Sequence, residues 1–152
     1  MVGAWGNEDL IEKAFDLHEY APRDTVRVGS LEARFTEVPH FAETFAINVT
    51  STEGGGRLTF GADSGPAQEV VDAARGTDLL IVEATLPRPE RTGVRGHMTP
   101  AEAGEHAKRA GAKRVVITHI SDELDADWAR EQASEAFGAP VEVAAEGATY
   151  EL

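Results

Sequence analysis

The chain has 152 residues, enough for one ordinary domain, and a compact fold of that size buries roughly two-thirds of the surface exposed by its unfolded chain. Its 27 acidic residues against 14 basic ones leave a net charge of −13, a surface that repels phosphate backbones and excludes charge-driven gripping of nucleic acid. The absence of cysteine excludes disulfides and thiolate metal sites, and no apolar run is long enough to span a membrane.

In chain order, residues 7–20 ("NEDLIEKAFDLHEY") place Leu10, Ile11, Ala14, Phe15 and Leu17 at helical spacing behind an Asn7 cap, predicting an N-terminal amphipathic helix within residues 1–20. The same stretch lacks a basic segment followed by an apolar one, so no signal peptide is expected and the chain is assigned to the cytoplasm. "TVRVGSLEARFTEVPH" alternates apolar and polar residues around Gly29-Ser30, the pattern of half-buried antiparallel strands. "TFAINVTSTEGGGRLTFGADSG" repeats it, with glycines 54–56 as the hairpin loop.

The period then changes. "PAQEVVDAARG" predicts a short helix with Pro66 in its first turn, and "DLLIVEA" a buried strand. "TPAEAGEHAKRAGAKRVVITH" repeats the step: Thr99 caps, Pro100 stands at the first helical position, Glu102 completes a capping box and Gly111 ends the helix. "DADWAREQASEAFG" supplies a further helix, and "PVEVAA" and "ATYEL" predict two short closing strands. A largely β first half and an alternating second half define a single α/β domain with neither repeat nor linker.

Ionisable side chains recur where strands leave the core: His40 after Val38, Asp63 after "RLTFGA", Glu83 ending "LLIVE", His97 before a helix, and His119 ending "VVIT". A single loop histidine is most often just hydrogen-bonded, but burying five such groups is costly unless they pair or bind a metal. Two imidazoles and a carboxylate, His40, Asp63 and His119, suit zinc, manganese or iron; a mononuclear non-haem iron site, which the same residue types also describe, ranks behind the other readings. His106 is predicted on a solvated helix face with Glu102 and Arg109, and Trp5 and Trp128 as core or interface anchors.

Five motifs in order, "VPHFAETFAINV", "LTFGADSGP", "DLLIVEATL", "RGHMTPAEAGEHAKRAGAKRVVITHIS" and "VAAEGATYEL", resemble the second half of metallo-β-lactamase-fold hydrolases, nearest to ribonuclease Z and related cyclic-nucleotide phosphodiesterases. The resemblance covers residues 25 to 152. It implies an αββα sandwich of which this chain supplies about half, a mixed sheet with helices on one face. It also implies that His40 and His119 ligate metal, that Asp63 bridges two metals, and that His97, oriented by Glu83, protonates the leaving oxygen of a phosphodiester. Where the family usually reads "GDTG", this chain reads "GADSG", with Ala62 as an extra residue.

The family's "HxHxDH" signature is absent, and nothing before His40 replaces it. The resemblance therefore implies a partial domain over residues 1–152: a fragment of a longer hydrolase, a split product that pairs with its N-terminal half, or a self-associating domain, in that order. The expected substrates of the complete enzyme are a small phosphodiester or an RNA 3′ end. A non-catalytic, partner-binding half-domain is the alternative.

Overall fold

A computed structural model describes residues 10–21, 24–90 and 92–152. One mixed seven-stranded sheet organises them, with its strands side by side in chain order. β1 (Thr25–Val28), β2 (Leu31–Val38), β3 (Thr44–Ser51) and β4 (Arg57–Phe60) form an antiparallel meander. β5 (Leu79–Glu83), β6 (Arg114–Thr118) and β7 (Glu142–Val143) continue the sheet parallel to β4. The short α1 (Leu10–Ala14) precedes the sheet, and α2 (Gln68–Ala73), α3 (Pro100–Ala110) and α4 (Ala126–Phe137) fill the parallel crossovers.

Local chemistry sets most boundaries. Gly29 turns β1 into β2 with a φ of 59°, the left-handed conformation that a two-residue hairpin turn needs. Thr99 and Glu102 form a reciprocal capping box at the start of α3. The Asp125 carboxylate accepts the Trp128 backbone N–H at 2.8 Å to start α4.

Because side chains alternate along a strand, Leu80 and Val82 of β5 and Val115 and Ile117 of β6 point to one side. There they join Val70 and Val71 of α2, Ala103 and Ala107 of α3, and Ala129 and Ala133 of α4 in one core. Small residues let the helices approach closely. A Cβ on Gly104 of α3 would stand 2.2 Å from the Ala133 carbonyl oxygen of α4. On the opposite face Phe35, Ile47, Phe60, Ile81 and Val116 stand in register across five strands. Phe60 is 40% exposed there, and Tyr20 stacks on Phe35 with ring centroids 3.8 Å apart.

The structure corrects several expectations. The helix predicted over 7–20 is helical only at Leu10–Ala14 among the described residues; Asn7 and Trp5 lie outside them. Phe15 and Leu17 are each 69% exposed, so these two positions of the stripe are not packed, and a short helix with little burial gains little in water. Pro66 precedes α2 instead of entering its first turn, since the N-cap is Ala67. Residues 148–152 are not a strand; the Glu151 carbonyl instead accepts from the Arg114 side chain at 2.9 Å. His106 is buried, not solvated, and its Nδ1 donates to the Glu102 carbonyl one turn back at 2.7 Å. Trp128 stays partly exposed on α4. Among the described residues no helix is long and apolar enough to cross a membrane.

Candidate metal centre

β2 and β4 are each antiparallel to β3, so both run in the direction of β5 and β6. The carboxyl ends of all four therefore lie along one sheet edge, where open α/β sheets collect ligands. His40 follows β2, Asp63 follows β4, Glu83 ends β5 and His119 follows β6, while His97 reaches the same edge from the loop before α3.

Three of these side chains form a tight group: Asp63, His97 and His119 each offer a ligand atom, and those atoms all lie within 4.8 Å of one another. His119 Nε2 is 3.4 Å from Asp63 Oδ2, long for a hydrogen bond but close enough for both to reach one ion. His40 stands beside the group rather than inside it, its ring centroid 4.9 Å from that of His97. The sequence placed His40 among the metal ligands and His97 outside them; the structure sets His97 nearer to Asp63 and His119.

The surroundings fix each group. Glu83 is only 1% exposed, and its carboxylate is fully partnered. Oε1 accepts from His97 Nδ1 at 2.9 Å and from the Ser64 N–H at 3.0 Å. Oε2 accepts from the Thr85 N–H at 3.1 Å and lies 2.7 Å from the Thr85 hydroxyl, which is also 2.8 Å from the His119 carbonyl. His97 is thus held by its Nδ1–H, which leaves Nε2 as the free nitrogen. His40 donates Nδ1–H to the Gly96 carbonyl at 2.8 Å and likewise keeps Nε2 free.

Two backbone outliers flank the group. Ala62 and His119 adopt positive φ angles of 54° and 51°, a left-handed conformation costing about 1–2 kcal/mol in a residue with a Cβ. Ala62 directly precedes Asp63, whose carboxylate reaches His119. The positive φ of His119 belongs to the turn by which the chain leaves β6.

The donor set fits a divalent metal. Among the described residues the Asp63 carboxylate has no hydrogen bond or ion pair besides its approach to His119. His40 and His97 are anchored through Nδ1 to a carbonyl and a carboxylate, the usual support of metal-binding imidazoles. Sequence reasoning missed Ser64 and Thr85, which hold Glu83; a hydroxyl residue two places after a strand-end carboxylate was the available signal.

Residues 3–120 match the family described as "Beta-lactamase superfamily domain", and the chain belongs to that superfamily. Ribonuclease Z of Myxococcus xanthus is 41% identical over 102 residues, covering 64% of this chain and 33% of that protein. The metallo-beta-lactamase fold protein YhfI from Bacillus subtilis superposes with a TM-score of 0.78 at 27% identity, covering 87% of this chain and 53% of its own. A diphosphatase from the PhnP family shares the fold at 20% identity and a TM-score of 0.67, over 95% of this chain and 52% of its own. The chain spans about half the length of the curated relatives it matches.

Proposed function

We propose that this chain carries the second half of a metal-dependent phosphodiesterase active site, with Asp63, His119 and His40 as metal ligands and His97 and Glu83 as its acid–base pair. The convergence of Asp63, His97 and His119, with His97 tied to a buried Glu83, carries this reading. A divalent ion held there, zinc in the first instance, supplies Lewis acidity toward a phosphoryl oxygen and an attacking water. His97 presents Nε2 to the leaving oxygen and delivers a proton from that atom, while Glu83 keeps the ring oriented and stabilises its charged form. The likeness to a ribonuclease Z supports phosphodiester chemistry.

The cleft beside His119, ≈ 580 Å³, is lined by Ser121, Asp122, Val143 and Glu146 among others and contains no cationic side chain. That wall favours a small phosphodiester over a long RNA. The remaining ligands would come from a cytoplasmic polypeptide segment bearing the absent "HxHxDH" pattern. In the test, bis(p-nitrophenyl) phosphate and a cyclic nucleotide are incubated with zinc or manganese, with and without such a segment. Metal-dependent hydrolysis is expected with the segment, falling about 10²–10⁴-fold in His97→Ala. Equal turnover without added metal would sink the reading.

A second reading follows from the row Phe35, Ile47, Phe60, Ile81 and Val116, whose exposed Phe60 marks incomplete cover. In that reading the chain is a non-catalytic half-domain that self-associates through this face. Light scattering decides it, because a monomeric mass leaves the catalytic reading alone.

A further inference from the structure

We propose that Arg95 is a positioning residue, latching the tripeptide Arg95-Gly96-His97 to the start of α3 so that both His97 and His40 keep the Nδ1–H tautomer and present Nε2 to the site. The inference rests on the reading of these two histidines as site residues. Arg95 Nη1 and Nη2 donate to the two Glu102 carboxylate oxygens at 2.7 and 2.8 Å, a bidentate pair with side chains only 25% and 20% exposed. Among the described residues Arg95 Nε has no partner, so its two terminal nitrogens carry the latch. Glu102 is itself fixed, since its Oε2 also accepts the Thr99 N–H at 2.9 Å within the capping box of α3.

The latch matters because of what the tripeptide touches. The Gly96 carbonyl accepts the His40 Nδ1–H, and the His97 ring lies on Glu83. The Arg95 carbonyl presses on Gly65, where a Cβ would come within 2.2 Å of that oxygen, so it also abuts the turn carrying Asp63. Three consecutive residues thus meet the segments that bear His40, Asp63 and Glu83. Upstream, residues 87–89 and 92–94 are exposed, so Arg95 is where this loop regains the core. Nothing in catalysis requires Arg95 to touch substrate. Its role is to fix which nitrogen of each ring carries the proton and where that ring points.

The test is ¹⁵N NMR of the histidine rings in the metal-free full chain, at a pH where both rings are neutral, read beside a thermal melt. Wild type is expected to show His40 and His97 as Nδ1–H tautomers. Arg95→Met should lose that pattern in both rings, Arg95→Lys should restore it only partly, and Arg114→Met, which breaks an ion pair to Glu142 elsewhere, should leave it intact. If Arg95→Met does not fold, Glu102→Gln removes the bidentate acceptor while retaining an oxygen for Thr99. A folded latch variant with unchanged tautomers would overturn the proposal and leave Arg95 a purely structural ion pair. Wild-type rings in the other tautomer would instead overturn the reading of the site beneath it.

Discussion

The antiparallel and parallel portions of the sheet are buried to different depths. Val28 and Leu31, at the β1–β2 turn, are 71% and 47% exposed, whereas Leu80 and Val82 in β5 and Ile117 in β6 are completely enclosed. The parallel strands owe this to crossover helices, which cover one face as a consequence of the connection itself, while a meander of short hairpins brings no cover of its own. The candidate metal centre draws on both portions. Asp63, Glu83 and His119 leave strands that pair with parallel neighbours, and His40 comes from the antiparallel side, steadied by the Gly96 carbonyl. Chemistry that needs fixed geometry stands mainly on the better-packed elements, and the less packed side is tied to them by a hydrogen bond.

The sharpest way to break this contrast is to delete side-chain volume in each portion. Ile117→Ala should cost about 3–4 kcal/mol of unfolding free energy by urea titration, whereas Val28→Ala should stay within about 0.5 kcal/mol. Similar losses at both positions would mean that the antiparallel strands are buried more deeply than the structure shows. Next in size, Asp63→Asn should weaken zinc binding about 100-fold in a competition titration, because it removes a charge and a ligand oxygen from the set that Asp63 forms with His119 and His40. Thr99→Ala should cost about 1 kcal/mol, measured by chemical denaturation, through loss of the α3 cap.

The smallest effect concerns pH. Burial pushes the Glu102 carboxyl up, but the Arg95 guanidinium and the Thr99 backbone N–H outweigh it and hold the group below its ordinary value of 4.5. A depressed carboxylate contributes stability that is present above the ordinary value and is lost as pH falls toward the folded one. Melting temperature should therefore drop below about pH 4.5, and the Glu102→Gln variant should show a shallower drop over that window. Parallel curves for the two proteins would remove Glu102 from the acid response.

Much of this architecture was legible in the sequence wherever local chemistry decides. Thr99, Pro100, Glu102 and Gly111 bracket α3 because caps act within one turn of the chain, and the Gly29 and Gly54–Gly56 turns fall where hairpins need them. The strand-end positions of His40, Asp63, Glu83 and His119 were readable because apolar runs stop there. What escaped depends on long-range packing. His106 is buried although its helical neighbours Glu105, Lys108 and Arg109 are exposed, since α3 is covered by α4 on one side and α2 on the other. The Arg95–Glu102 latch joins a loop to a helix and has no motif. The stripe at Ile11, Phe15 and Leu17 promised a long helix, yet pattern alone cannot supply the surface that such a helix must meet.

The most direct test of the central claim, that Asp63 and His119 belong to one metal centre, is metal content by mass spectrometry on the purified chain, mixed with a segment bearing the "HxHxDH" pattern and loaded with zinc, compared with Asp63→Asn and His119→Ala treated in the same way. The account predicts bound zinc in stoichiometric amount in the wild type and its loss in both variants with the fold intact by circular dichroism. Zinc retained equally by all three proteins, or absent from the wild type, would contradict it.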